Sequence, residues 1–136
     1  YYQLRGRIDL EKNNISHAIS HFEKAEPLLQ KEFGYGPFDC DQAVFAGPRA
    51  LAYFLSGNLE KAKEEYEIIQ AYVTGKLYYG DIYIKSFYML GQIEEQQGNT
   101  ANAIEHYEHF LDLWKNADPG IAEIEDAKTR LAEIQR

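Results

Sequence analysis

Two histidine pairs are the residues whose spacing could support metal chemistry. His17 and His21 are four residues apart, and His106 and His109 are three apart. On a helix, either spacing can bring two imidazoles to one metal ion. No carboxylate or cysteine completes a recognisable ligand set beside either pair. We therefore expect the imidazoles to be solvated, and we expect neither a metal site nor a cofactor.

The residues that could act in covalent or acid–base catalysis also lack a suitably spaced partner. Cys40 is the single cysteine, and no histidine is spaced so as to form a pair with it. A lone cysteine near a helix start is usually a small buried apolar residue. Glu94 and Glu95 are adjacent, so a helix would point them in different directions. The sequence also lacks a glycine-rich phosphate loop and a serine elbow motif. We expect no catalytic residue and no enzymatic activity.

The composition narrows the classes of partner. The chain has 136 residues, 45% of them hydrophobic, and a formal net charge of -8. A negative charge of this size disfavours nucleic acids and anionic membrane surfaces, which attract basic patches. One cysteine cannot form an internal disulfide, so the fold does not require an oxidising compartment. We expect a cytoplasmic protein that binds a protein or peptide and no membrane.

One short phrase occurs three times, over 13–22, 57–66 and 98–107. Each copy opens with a residue that tolerates a positive φ, followed by asparagine, as a helix C-terminus requires. Alanine is the sixth residue and an aromatic is the tenth, which places both on one face of a new helix. The alanines are Ala18, Ala62 and Ala103, and the aromatic residues are Phe22, Tyr66 and Tyr107. The phrase therefore predicts a repeated helix–turn–helix corner.

A repeated corner predicts a stacked array of helix pairs. We assign one domain with repeats at 1–33, 41–74 and 81–116, separated by breaks at 34–38 and 73–80. Asp81 is the predicted N-cap of the first helix of repeat three. Pro48 should kink or restart the helix that contains it. Asp118 and the proline after it predict a helix start, and a final capping helix is expected within 119–136.

These residues resemble the signature of the tetratricopeptide repeat family. In the third copy the signature residues are Phe87, Leu90, Gly91, Ala103 and Tyr107. The second copy departs from it, because Ala50 stands where glycine is usual. The alanines are also further apart than the family's usual repeat of about 34 residues. The resemblance implies an all-α, right-handed α-solenoid of three helix pairs and a capping helix.

Residues 49–136 also look like the C-terminal arrays of prokaryotic multidomain signalling proteins, of the serine/threonine kinase, cyclase or transcription-regulator type. That resemblance implies a scaffolding or sensing role beside another domain. The residues from Tyr1 onward are typical of the interior of a helix, and no N-cap precedes them. We therefore expect this sequence to be a fragment of a larger protein.

In the family, the first helix of each repeat lines a concave groove that binds a peptide or a helix. The positions carried over from that pattern are Gln3, Arg7, Leu51, Phe54, Leu55, Tyr88, Gln92 and Glu95. This mixture of apolar, aromatic and amide side chains suits an extended peptide or an amphipathic helix. The alternative is that apolar residues such as Leu51 and Phe54 are buried against a neighbouring repeat.

A second hypothesis is self-association. The first helix begins with apolar residues that no earlier repeat covers, namely Tyr1, Tyr2, Leu4 and Ile8. Helical arrays usually end in a polar face, and an exposed apolar patch marks an interface. On this hypothesis the protein forms a homodimer through the edge formed by residues 1–12.

Overall fold

The computed structural model describes residues 1–33, 41–71, 80–116 and 120–136. Within these ranges it contains seven helices and no strand. The helices are α1 (Tyr2–Glu11), α2 (Ile15–Phe33), α3 (Asp41–Leu55), α4 (Leu59–Ala71), α5 (Gly80–Gln96), α6 (Thr100–Leu113) and α7 (Ala122–Ile134). The prediction of an all-α fold with seven helices is confirmed for the part of the chain described.

The chain divides into an N-terminal unit, Tyr1–Ile82, and a C-terminal unit, Tyr83–Arg136. In the N-terminal unit α1 packs on α2 and α3 on α4, and α3 also contacts α1 and α2. In the C-terminal unit α6 packs on α7. The break at 34–38, most of the break at 73–80, Cys40 and Asp118 lie outside the described residues.

The three repeated corners share one backbone geometry. Their opening residues have positive φ, at 60° for Asn13, 80° for Gly57 and 79° for Gly98. At the third corner the Gly98 N–H donates across 3.1 Å to the carbonyl three residues earlier. The next N–H, of Asn99, donates across 2.8 Å to the carbonyl five residues earlier. Both bonds recur at the other two corners. This pair of bonds is the Schellman motif, which satisfies the last carbonyls of a helix.

The alanines of the phrase lie where paired helices touch. Ala18, Ala62 and Ala103 are completely buried, as the sequence predicts. A small side chain at these positions allows the two helices of a pair to pack closely. The aromatic residues that follow them are also buried. The apolar clusters extend beyond one helix pair, because Ala52 of α3 packs with Phe22 of α2, and Ala127 of α7 packs with Phe110 of α6.

Two glycines on the first helix of a pair lie directly against an aromatic ring of the second helix. A Cβ on Gly91 would lie 2.6 Å from Cε1 of Tyr107, and one on Gly6 would lie 2.5 Å from Cε1 of Phe22. Real Cβ atoms do not come this close to a ring in a well-packed core. The aromatic ring of the second helix therefore requires glycine opposite it in the first and third pairs.

The structure corrects the predicted start of α5 and one of the two alternatives at Pro48. Helix α5 begins at Gly80, so Asp81 lies in the first turn, where its charge favours the helix N-terminus. Helix α3 runs through Pro48 as one helix, so the alternative that the helix restarts at Pro48 is wrong, and a kink at Pro48 stays a prediction. Ala46 and Ala50 are buried on either side of that proline, and this packing outweighs its missing donor.

Candidate functional site

Two of the predicted groove residues lie four residues apart on α1. Arg7 is exposed, and its guanidinium forms no ion pair among the described residues. Gln3 is half-buried, and both polar atoms of its amide are shielded from solvent without a hydrogen-bond partner in the described ranges. The guanidinium of Arg7 is therefore open to solvent, whereas the Gln3 amide is unsatisfied and shielded from solvent.

The three predicted groove residues on α3 are apolar and not fully buried. Leu55 is 51% exposed, and Leu51 and Phe54 are half-buried. The buried positions of this stretch belong to Ala52 and Tyr53 instead. The alternative that Leu51 and Phe54 are core residues therefore holds only in part, because both keep some exposed surface.

The three predicted groove residues on α5 have polar ends that are already bonded. The Tyr88 hydroxyl donates to Oδ2 of Asp126 on α7 across 2.6 Å. Nε2 of Gln92 donates to the Tyr88 oxygen across 2.7 Å. A carboxylate of α7 therefore terminates a series of hydrogen bonds that runs along one face of α5.

Glu95 joins the same series from the other end of that face. Its Oε2 accepts from the Tyr107 hydroxyl at 2.7 Å and from a guanidinium nitrogen of Arg130 at 3.1 Å. Arg130 Nε also donates to Oδ2 of Asp126 at 2.6 Å. We name these residues the α5–α7 network; its members are Tyr88, Gln92, Glu95, Tyr107, Asp126 and Arg130.

Burial and the hydrogen bonds of the network shift the pKa values of Tyr88, Tyr107 and Asp126. Each shift favours the protonation state in which the hydrogen bonds form. Burial raises the pKa of Tyr88, and its hydrogen bond to Asp126 adds to the shift. Burial likewise raises the pKa of Tyr107, helped by its bond to Glu95. Burial alone would raise the pKa of Asp126, but hydrogen bonds from Tyr88 and Arg130 outweigh it and lower that pKa. Around neutral pH the tyrosines therefore donate and the carboxylate accepts.

The predicted self-association residues differ in exposure. Tyr1 is 84% exposed and Leu4 is 64% exposed. Tyr2 and Ile8 are half-buried. The ring of Tyr2 meets that of Tyr1 edge-on at 5.3 Å and stacks on His21 at 6.2 Å. The apolar start of α1 is thus partly covered by α2 and partly open.

A cavity of about 190 Å³ lies beside this start. It is lined by Tyr1, Tyr2, Gln3, Ala25 and Leu28. Sequence reasoning did not assign Ala25 or Leu28 to a site. The signal was present, because in an antiparallel helix pair the first turn of α1 must meet the latter part of α2.

Of the four histidines, His17 and His109 are exposed, whereas His21 and His106 are half-buried. Nδ1 of His21 lies 2.9 Å from Oδ2 of Asp9, because the antiparallel α1 brings that carboxylate alongside α2. The His109 ring stacks on Phe87 with centroids 4.2 Å apart. His17 is exposed, as predicted. Among the described residues no three His, Cys, Asp or Glu side chains are grouped so as to hold a metal ion.

Residues 84–113 match the family model of the tetratricopeptide repeat. A solved structure described as "First TPR of Spaghetti (RPAP3) bound to HSP90 peptide SRMEEVD" superposes with a TM-score of 0.68. The two chains are 20% identical, and the match covers 98% of this chain and 87% of the other. A search of curated proteins found no match.

These comparisons agree with the corner geometry. The family match spans most of α5 and all of α6, which is the third helix pair. The structural match extends over nearly the whole chain, so the fold is that of a tetratricopeptide-like helical solenoid. No helix in the described ranges combines the length and apolarity needed to cross a bilayer.

Proposed function

We propose that this protein is a non-catalytic interaction module that binds an extended peptide or an amphipathic helix of a partner protein. The observation that carries the proposal is the exposure of Leu55 on α3 beside the half-buried Leu51 and Phe54. Apolar side chains on one helix, left open to solvent, are what a peptide-binding surface requires. The structural neighbour is described as bound to an HSP90 peptide, which supports the same class of function.

The chemistry of the N-terminal unit suggests what the ligand carries. The apolar surface of α3 would receive apolar side chains, while Arg7 on α1 would donate N–H groups to a carbonyl or carboxylate. The net charge of -8 favours a ligand that is neutral or basic overall. We therefore propose an apolar segment without an excess of acidic residues.

The predicted groove residues of the C-terminal unit are less available to a ligand than those of the N-terminal unit. Tyr88, Gln92 and Glu95 already bond to one another or to α7 and α6. A ligand would have to replace these bonds to use the polar ends, which costs as much as it gains. That these three residues contact a ligand stays a prediction, and we assign the main contacts to the N-terminal unit.

Selection of peptides from a displayed library on the immobilised protein tests the function. Enriched peptides should bind in calorimetry, and Leu55→Ala and Arg7→Ala should each weaken binding by about threefold to tenfold. Leu113→Ala, which changes an exposed leucine on α6, is the matched control and should leave binding unchanged. Failure to enrich any peptide, or equal binding by all three variants, would refute the proposal.

Self-association is a second candidate, and the exposure of Tyr1 and Leu4 favours it. On this hypothesis the protein dimerises at high concentration, and a polar residue at Leu4 and Ile8 abolishes the dimer. Small-angle scattering over a concentration series measures this. A protein that stays monomeric throughout would remove the hypothesis.

We further propose, from the resemblance of residues 49–136, a cytoplasmic scaffolding role within a larger prokaryotic signalling protein. The full reading frame tests this. A kinase, cyclase or transcription-regulator domain in the same frame would support it, and a frame that encodes no such domain would refute it.

A further inference from the structure

Helices α1 and α3 are equivalent elements of the first two repeats. The buried alanines of their phrases, Ala18 and Ala62, are 44 residues apart. The two helices end at residues separated by the same interval, Glu11 and Leu55. Each residue of α1 therefore corresponds to the residue 44 positions later in α3. Because both helices lie in the N-terminal unit, their burial can be compared residue by residue.

On α3, one set of residues at helical spacing is covered by another helix. Its members, which we name the α3 stripe, are Phe45, Pro48, Arg49 and Ala52. Ala52 is completely buried in a cluster with Ala18 and Phe22 of α2. The side chain of Arg49 is 12% exposed, and its Nη1 lies 3.5 Å from Oε1 of Glu26, also on α2. Helix α2 therefore covers at least the C-terminal half of the α3 stripe.

The corresponding residues of α1 and its N-cap are more open to solvent. They are Tyr1, Leu4, Arg5 and Ile8, and we name them the α1 stripe. The first three are exposed, whereas their counterparts on α3 are half-buried. Ile8 is half-buried, whereas its counterpart Ala52 is completely buried. The α1 stripe is thus the same helix face without its covering helix.

Arg5 differs from its counterpart Arg49 in its charged partners. Arg49 also donates to Oε2 of Glu65 on α4 across 2.7 Å. The counterpart of Glu65 in the first repeat is His21, which has no carboxylate. The Arg5 guanidinium forms no ion pair among the described residues, and its Cζ lies 6.0 Å from the centre of the exposed Tyr1 ring. Two carboxylates therefore neutralise the arginine of α3, and none in the described ranges neutralises that of α1.

The face of α2 that covers α3 shows which chemistry complements such a stripe. It presents four residues spaced along one side of a helix, namely Ile19, Phe22, Glu23 and Glu26. Ile19 packs against the cluster that contains Phe22 and Ala52. Glu23 accepts from the Tyr53 hydroxyl across 3.2 Å, and Glu26 pairs with Arg49. The complementary face therefore combines apolar side chains with carboxylates.

We propose that the α1 stripe docks an acidic amphipathic helix of a partner protein. Apolar side chains of that helix cover Leu4 and Ile8, and one of its carboxylates pairs with Arg5. Residues 1–8 contain two arginines and no acidic residue, in a chain whose net charge is -8. This local excess of positive charge favours an acidic partner. The α1 stripe is distinct from the α3 surface of the proposed function and binds a different partner.

A second copy of this protein is a poorer match than a partner helix. In each copy the complementary face of α2 is already covered by α3, through the contact of Phe22 with Ala52 and through the Glu26–Arg49 pair. To offer this face, a copy would have to unpack its own apolar cluster. A partner helix with a free face has no such cost.

The test uses α2 itself as the probe, offered as a separate peptide. A synthetic peptide of residues 14–33 carries a hydrocarbon staple in place of His17 and His21, on the side of the helix opposite the covering face. It is titrated into the ¹⁵N-labelled 136-residue protein, with any tag placed after Arg136. The amide signals of the α1 stripe should shift, and those of the α3 stripe should not.

Reversal of the charges isolates the ion pair. Arg5→Glu should weaken peptide binding about fivefold to tenfold and leave the Tm within about 2 °C, because Arg5 is exposed. A peptide with Glu26→Lys should bind the native protein as weakly, and should bind the Arg5→Glu protein about as tightly as the native peptide binds the native protein. Lys24→Glu in the protein makes the same charge change at an exposed position of α2. It is the matched control and should leave binding within about twofold.

The apolar part of the α1 stripe has its own variant. Leu4→Ala removes exposed apolar area that the partner helix would cover, so it should weaken peptide binding about threefold to tenfold. Leu113→Ala makes the same change at an exposed leucine of α6 and should leave binding unchanged.

Three results would overturn the proposal. The first is an absence of shifts in the α1 stripe at about 1 mM peptide. The second is equal binding of the native and Glu26→Lys peptides by the Arg5→Glu protein. The third is a shift of the α1 stripe on raising the protein concentration alone, which would assign the stripe to a second copy. The proposed function is tested separately, because its peptides should depend on Leu55 and not on Arg5.

Discussion

The predicted groove residues differ between the two units in whether other residues of the protein bond to them or cover them. In the N-terminal unit, Gln3 has no hydrogen-bond partner among the described residues, and Leu55 is half open to solvent. In the C-terminal unit, Tyr88 and Glu95 bond to residues of α6 and α7. The helix pair and its corner are the same in both units, so the difference lies in what covers the first helix. We propose that recognition belongs to the helices whose exposed residues no other described helix satisfies.

Helix α7 bonds to the polar side chains of α5 through two of its own side chains, which lie one turn apart. Asp126 and Arg130 are four residues apart and bond to each other at 2.6 Å. Asp126 accepts from Tyr88, and Arg130 donates to Glu95. Ala127, between them in sequence, is completely buried in the apolar cluster with Phe110. The α5–α7 network thus fixes the orientation of a helix whose apolar face supplies most of the attachment.

The largest expected effect is at the core of the C-terminal unit. Ala103→Leu adds three carbons where α6 touches α5, and overpacking of this kind should cost roughly 1–3 kcal/mol. The urea midpoint measures it. Ala101→Leu, the same change at an exposed position of α6, should leave the midpoint nearly unchanged. Equal midpoints for both variants would contradict the assignment of Ala103 to the helix contact.

Loss of the cation in the network should have a smaller effect. Arg130→Gln removes the donor shared by Asp126 and Glu95, and it should destabilise the fold by on the order of 1 kcal/mol. The pair of Lys128 with Glu125 is exposed, so Lys128→Gln should change stability by less than about 0.5 kcal/mol. If both variants unfold at the same urea concentration, the network does not hold α7.

The pH dependence of stability should report the same network. Asp126 has a folded-state pKa below its ordinary value, so its contribution is complete above an ordinary pKa of about 3.9. That contribution is lost as the pH falls through the folded-state pKa. The stability difference between the native protein and Asp126→Asn should therefore shrink below about pH 4. Glu125→Gln, next to it in sequence, is the control, and a difference that stays constant with pH would contradict the account.

At alkaline pH, the stability that the network tyrosines contribute should fall as the pH rises. The pKa values of Tyr88 and Tyr107 are raised in the folded protein. Their contribution is therefore complete below an ordinary tyrosine pKa of about 10 and is lost as the pH rises through the folded-state values. In Tyr107→Phe this alkaline loss should be smaller than in the native protein, as measured by urea unfolding at about pH 9 and about pH 11.

The fold was largely predictable because its signals are local. The positive φ of Gly57 and Gly98 follows from a residue type that tolerates it, and the burial of Ala103 follows from helical spacing. Helix α5 already includes Gly80, so Asp81 lies inside the helix and is not its N-cap; the sequence did not separate the two because aspartate suits both an N-cap and a first turn. The continuity of α3 through Pro48 depends on tertiary packing, which local rules do not include.

The candidate site was less predictable because its properties arise between helices. The sequence identified Glu95 by its position on α5, but its bond with Arg130 joins residues 35 apart in the sequence. The cavity needs Ala25 and Leu28 of α2 beside the first turn of α1, a juxtaposition that only packing creates. The sequence predicts a solvated His21 because its partner Asp9 lies on another helix.

The smallest effects on stability are expected at the open positions of the N-terminal unit. Arg7→Ala and Leu55→Ala should each change the free energy of unfolding by less than about 0.5 kcal/mol, because neither side chain is fully packed. Thermal unfolding measures this. A loss of about 2 kcal/mol or more in either variant would mean that the residue supports the fold and not a ligand.

We propose that recognition belongs to the N-terminal unit, whereas Asp126 and Arg130 of α7 bond to the corresponding face of α5 in the C-terminal unit. The most direct measurement is NMR mapping of one library-selected peptide on the whole ¹⁵N-labelled protein. The account predicts the largest shifts at Gln3, Arg7, Leu51, Phe54 and Leu55, with small shifts at Tyr88, Gln92 and Glu95. Largest shifts on α5 and α7, with α1 and α3 unchanged, would contradict it.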